Sequence, residues 1–397
     1  MHFYDLSLIF ALAGLAFYAV LGGADFGAGF WELTAGRGKG ADEIRDHAHA
    51  GMAPVWEANH VWLIFVLTVV WTAYPAAFGS IASTLAIPLF VAGIGIVLRG
   101  LAYAMRSGTA SLREQRAVDM LFSVSSILTP FALGTAIGGI ASQRVPVGNA
   151  TGSLVRSWLN PTSVTIGVLA VAASAYTAAV FLSGDAVRRG EPELAERFRL
   201  RALGAGLVAG AVAVAGLVVL HFDAERLFHR LVHGPGLAGL LGSLAAGVAT
   251  LALLWRRSYE PARYTSALAV AFTIAGWALA QQPVFLRGLS IKDAAAPHET
   301  QVAVVIVVLG GAVLLFPSLA LLFRLALGGR LSHGVGVPHV SSARGRTRPT
   351  TRLALASLIA GAGFLTVADS AWTHAVGVAF LLAFVAFGYR SALPADA

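Results

Sequence analysis

Long apolar runs alternate with short polar segments along most of this chain. Eleven runs are long enough, or nearly so, to cross a bilayer core as a helix, which takes about 20 residues. They fall at 5–24, 54–74, 80–104, 118–141, 162–184, 201–221, 236–255, 264–281, 301–325, 353–368 and 371–389. The pattern predicts an all-α polytopic integral membrane protein. Nine spans form a core of helix bundles over residues 1–325, and a polar, Gly- and Arg-rich cytoplasmic linker covers 326–352. An additional transmembrane hairpin and tail fill 353–397. No internal repeat is visible, so a transporter built of inverted repeats gains no support. The opening residues Met1-His2-Phe3-Tyr4-Asp5 lack the basic segment of a cleavable signal.

Composition reinforces the membrane reading. The chain is 57% hydrophobic and only 12% charged, against about 25% charged in a soluble domain, and its mean hydropathy is +0.74. The net charge of +8 is spread over short loops rather than gathered into a patch with aromatics, which argues against nucleic acid as a partner. The absence of cysteine removes disulfides, iron–sulfur clusters and thiolate copper sites together. Loops after the odd-numbered runs hold 21 of the 28 Lys and Arg residues, and loops after the even-numbered runs hold 6. By the positive-inside rule the N-terminus is expected outside and the C-terminus in the cytoplasm.

The remaining basic residue, Arg99, lies inside the third run. A charge at the bilayer centre costs about 2.5–3.5 kcal/mol on insertion scales, so it is kept where something uses it. Asp25 falls at the cytoplasmic end of the first run and Glu57 at the cytoplasmic start of the second, at the expected depth of Arg99. Two readings are open. Either the acids neutralise Arg99 as an ion pair, or they form an acid chain that admits protons or cations from the cytoplasm. Glu57 sits in Pro54-Val55-Trp56-Glu57-Ala58-Asn59-His60-Val61-Trp62, one helical turn from His60, and a carboxylate beside an imidazole can pass a proton inward. Glu-x-x-His is also half of a carboxylate-bridged di-iron site, but no second copy exists and no other Glu falls within a predicted run. Of the eleven His, only His60 falls well within a run, which leaves too few ligands for a bis-His haem. Gly23 and Gly27 have small-xxx-small spacing, suited to close helix packing.

Several segments together resemble subunit II of cytochrome bd-type quinol oxidases. They are Gly22-Gly23-Ala24-Asp25-Phe26-Gly27-Ala28-Gly29, the run Pro54 to Leu63, Ile87-Pro88-Leu89-Phe90, Leu98-Arg99-Gly100, Asn160-Pro161, and Gln281 to Pro283 with Ile291 to Pro297. The likeness covers about residues 1–325, and nine spans is the number that family has. It implies a heterodimer in a bacterial cytoplasmic membrane. A haem-bearing subunit I carries haems b and d, oxidises quinol and reduces O2 to water. Subunit II binds no haem; it supports its partner and contributes acids to a cytoplasmic proton path. Carried over, the path residues are Asp25 and Glu57, with Trp56, Asn59, His60 and Arg99 beside them. Some members have Asp-Gly-Asn-Gln where this chain has Glu57-Ala58-Asn59-His60, which keeps a carboxylate but introduces the imidazole. The resemblance leaves room for a structural quinone and for a small single-helix accessory subunit, which the added hairpin could replace by fusion or could merely resemble as a packing element. Without the resemblance, a proton- or cation-coupled secondary transporter or a structural membrane scaffold would share these features.

Overall fold

The computed structural model describes residues 2–36, 38–52, 56–106, 112–327, 349–367 and 371–392. It consists of α1 (Phe3–Thr34), α2 (Lys39–Met52), α3 (Trp56–Ala73), α4 (Pro75–Thr84), α5 (Ala86–Arg106), α6 (Leu112–Ala141), α7 (Pro161–Arg188), α8 (Pro192–Asp223), α9 (Glu225–Val232), α10 (Leu237–Trp255) and α11 (Tyr259–Gln281). A short hairpin of β1 (Val284–Leu286) and β2 (Leu289–Ser290) follows, then α12 (Ile291–Ala294), α13 (His298–Leu327), α14 (Pro349–Val367) and α15 (Ala371–Ala392). Among the described residues the apolar runs are helical, the third being divided between two helices, and eight helices are long and apolar enough to cross a membrane.

The chain divides into two compact units, Met1–Leu322 and Phe323–Ala397. In the first, α1 packs against α3, α6 and α7, while α5 pairs with α6, α7 with α8 and α10 with α11. In the second, α14 packs along α15. There Phe364 stacks on Phe380 at 5.9 Å between centroids. Residues 328–348 of the expected linker lie outside the described residues.

Three local departures from the sequence expectations have physical causes. The third run is two helices, because Pro88 lacks an N–H and is accommodated in the first turn of a new helix, after a break at Leu85. Helix α1 continues well past residue 24, through the glycine-rich motif to Thr34. Its hydrogen bonding tolerates those glycines because α7 packs closely on them: a Cβ built on Gly27 would lie 2.0 Å from the Ser174 carbonyl oxygen. A Cβ on Gly23 would make an ordinary 3.5 Å contact, so only Gly27 of that spaced pair is required by the close approach. The third departure is α2, in a segment expected to be a loop. It is too short and polar for a span, yet Ala41, Ile44 and Ala48 recur at helical spacing and are buried. Ile44 and Ala48 pack with Leu182, Leu194 and Phe198.

The motifs at Asn160-Pro161 and Gln281–Pro297 are structural. Asn160 caps α7, its Oδ1 accepting from the Ser163 N–H at 2.9 Å, with Pro161 in the first turn. Ser290 caps α12 in the same way, accepting from the Asp293 N–H. The C-terminal carbonyl of α3, that of Ala73, accepts from the Ala296 N–H at 2.8 Å and from Gln301 Nε2 at 2.7 Å. The Gln301 Oε1 in turn accepts from the Ser7 hydroxyl at 2.7 Å. These bonds satisfy groups that a helix end would otherwise leave bare.

Candidate functional site

Asp25 and Arg99 meet deep in the first unit, between α1 and α5. Their side chains are 1% and 3% exposed, and Arg99 Nη2 lies 2.7 Å from Asp25 Oδ1. The same nitrogen donates to the Asp25 backbone oxygen at 2.9 Å. Arg99 Nη1 donates to Ser126 on α6, and the guanidinium lies over the Phe122 ring at 4.1 Å. Planar geometry suits Arg to this combination of a carboxylate, two further acceptors and an aromatic face. Gly29 makes the approach possible, since a Cβ there would lie 2.3 Å from Ser126 Oγ and 3.2 Å from Arg99 Nη1. One carboxylate oxygen is thus engaged by the guanidinium. The other, Asp25 Oδ2, is buried and has no hydrogen-bond partner among the described residues.

The second-run residues reach the same neighbourhood in part. Asn59 is 1% exposed, and its Nδ2 donates to the Leu21 carbonyl at 3.1 Å, one turn before Asp25 on α1. That bond fixes the depth of α3 against α1. The backbone of Glu57 is two residues, about 3 Å of helix rise, from that level. His60 is edge-on to Tyr18 and to Phe26, each at 6.3 Å between centroids. Trp56 and Glu57 stand in the first turn of α3, and their side chains lie outside the described residues.

Sequence reasoning missed the polar residues on the far side of this pair. Glu32 was excluded because the first apolar run ends at residue 24, yet it belongs to α1 and is 6% exposed. Asp25, Gly29 and Glu32 stand at i, i+4 and i+7, one face of a helix, a signal available had the helix been extended. His49 on α2 comes within 3.5 Å of Glu32. His47, two residues earlier, is buried and donates from Nε2 to the Leu182 carbonyl at 3.1 Å. Burial lowers its pKa below the ordinary histidine value, against the raising effect of that bond.

The family described as cytochrome bd terminal oxidase subunit II matches residues 4–326. The chain belongs to that family. It is therefore a membrane component of a bd-type quinol oxidase complex. The chain is 22% identical over 238 residues to the putative cytochrome bd menaquinol oxidase subunit II of Bacillus subtilis, covering 58% of this chain and 67% of the relative. It is 27% identical over 212 residues to the cytochrome bd-I ubiquinol oxidase subunit 2 of Escherichia coli K12. That alignment covers 51% of this chain and spans only 54% of the relative's length. In fold it is similar to a chain from the structure of bd oxidase from Geobacillus thermodenitrificans, with a TM-score of 0.64 at 22% identity. The superposition covers 83% of this chain and 99% of the other.

Proposed function

We propose that this bd-family subunit supports a haem-bearing subunit I and supplies it with protons from the cytoplasm through Glu57 and Asp25. The observation that carries the reading is the half-satisfied Asp25 carboxylate: Arg99 holds Oδ1 at 2.7 Å while Oδ2 stays buried and open. Arg99 holds one oxygen of the acid, and the other is where a proton arriving from α3 can be taken up. Asn59 sets the register that brings the Glu57 turn to this depth, and His60 packs beside it. Trp56 precedes Glu57 in the same turn.

Quinol oxidation releases two electrons and two protons, and reduction of O2 to two waters takes up four of each; a subunit II path serves the uptake. Haems b and d do not fit this chain. A bis-His haem needs two imidazole ligands, and His60 is the one histidine deep in an apolar run. The haems and the quinol site are placed on the partner. The N-terminus is placed outside and the C-terminus in the cytoplasm of a bacterial membrane, with 353–389 as an added packing hairpin.

Glu57→Gln tests the reading, since it keeps size and most hydrogen bonding but no titrating group. O2 consumption per haem is expected to fall roughly tenfold or more, equivalent to about 1.4 kcal/mol or more on the barrier, with haem per protein unchanged. Normal O2 consumption per haem would exclude Glu57 from the path.

A further inference from the structure

A second acid–base contact stands directly beside the buried pair. Glu32 follows Asp25 by seven residues on the same face of α1, and its Oε1 lies 3.5 Å from Nδ1 of His49 on α2. The His49 ring stacks on Tyr103 at 5.6 Å and leans on Phe122 at 5.9 Å. Phe122 is the ring that carries the Arg99 guanidinium, and Tyr103 is one turn beyond Arg99 on α5. The helices that hold the inner pair therefore also hold the outer one. Around His49, α1 presents Glu32, α5 presents Tyr103 with Arg99 one turn earlier, and α6 presents Phe122.

Side-chain exposure is graded along this line, from 1% at Asp25 and 3% at Arg99 to 5% at Glu32 and 24% at His49. Buried polar atoms are nearly always hydrogen-bonded, yet Glu32 Oε1 and His49 Nδ1 are buried and have no such partner among the described residues. At 3.5 Å they are slightly too far apart for a hydrogen bond, and a small rotation would close it. The carboxylate and the imidazole nitrogen face each other across that gap, a geometry in which one proton can pass between them.

We infer that Glu32 and His49 form the outer proton-exchange station of the subunit, feeding the Asp25–Arg99 pair. The inference rests on the proton-path reading above. His49 Nδ1 takes a proton from water on the α2 side and hands it to the Glu32 carboxylate. Glu32 then releases it inward and returns to its ionised form, with His49 neutral again; no electrons move. Two turns of α1, about 10 Å, separate Glu32 from Asp25, a gap that proton transfer through water would have to bridge. Both act through the inner pair and so are positioning residues for proton delivery.

The test uses the intact oxidase complex, with haem per protein and O2 consumption per haem measured from acid to alkaline pH for Glu32→Gln, His49→Gln and Glu57→Gln. A proton-collecting group matters most when protons are scarce. Relative to wild type, the Glu32 and His49 variants should turn over roughly fivefold slower near pH 8 and less than twofold slower near pH 6, within the range of a lost proton-transfer group. Glu32→Asp should keep most of the rate. His49→Gln decides the matter if Glu32→Gln assembles poorly, because His49 is the more exposed partner and keeps a polar side chain. A wild-type rate at every pH, or one constant loss factor at all pH values, would overturn the station. If Glu57→Gln is slow while both outer variants are normal, the station alone falls. If Glu57→Gln is also normal, the path reading falls with it.

Discussion

Asp25→Asn isolates the electrostatic part of the buried pair. The substitution keeps an oxygen where Arg99 Nη2 now finds Oδ1 at 2.7 Å, so the hydrogen bond can persist while the charge is lost. The contacts of Arg99 with Ser126 and with Phe122 at 4.1 Å are common to both proteins and drop out of the difference. Unit charges about 4 Å apart attract by about 4 kcal/mol at an effective dielectric constant near 20. Some of this is offset because a neutral amide carries a smaller desolvation penalty than a carboxylate, whereas the 3%-exposed Arg99 still carries its own. The net loss should be about 2–4 kcal/mol, reaching the low end of the range for breaking a buried pair. The assay is a double-mutant cycle with Arg99→Gln, following unfolding of the purified complex in mixed micelles of SDS and a mild detergent. A coupling energy of about 2–4 kcal/mol is expected, and effects additive within about 0.5 kcal/mol would refute the energetic argument. O2 consumption per haem on the same samples separates stability from proton delivery. A coupled pair with normal turnover in Asp25→Asn would leave a lock and no relay.

Gly27→Ala should destabilise the complex by about 1–3 kcal/mol, the usual range for overpacking, because the new methyl meets the Ser174 carbonyl at 2.0 Å; Gly23→Ala, with its 3.5 Å contact, should be nearly silent in the same thermal melt. His47 should make docking of α2 pH-dependent. Its pKa is lowered in the folded state, so its contribution is complete above the ordinary value of 6.5 and is lost as pH falls from there through the lower folded value. Amide exchange across residues 39–52 should accelerate in that window, and an unchanged or slower rate would contradict the assignment. Removal of residues 335–397 should leave a complex with haem and measurable oxidase activity, because the family match stops at residue 326; failure to assemble would make the hairpin part of the core.

Hydropathy determined most of the architecture in advance, because a bilayer admits helices and little else for a chain of long apolar runs. The runs became helices, the third divided in two, and Asp25, Glu57 and Arg99 were legible as charges at one depth because an unpaired charge in lipid is expensive. Helix ends were less legible. The glycines of residues 22–29 read as the end of a span, whereas close packing on Ser174 carries α1 through them to Thr34. That extension is what buries Glu32. The amphipathic helix α2 was invisible to a search for spans, since only its Ala41, Ile44 and Ala48 face is apolar. Its pairing of His49 with Glu32 joins residues whose spacing in sequence carries no periodic signal. The sequence by itself determined which residues enter the membrane and which charges need partners, since both follow from transfer energies of single side chains. Only the tertiary structure decided which partners they meet, because proximity between α1, α2, α5 and α6 depends on the packing of whole helices, with Gly27 and Gly29 setting how near they come.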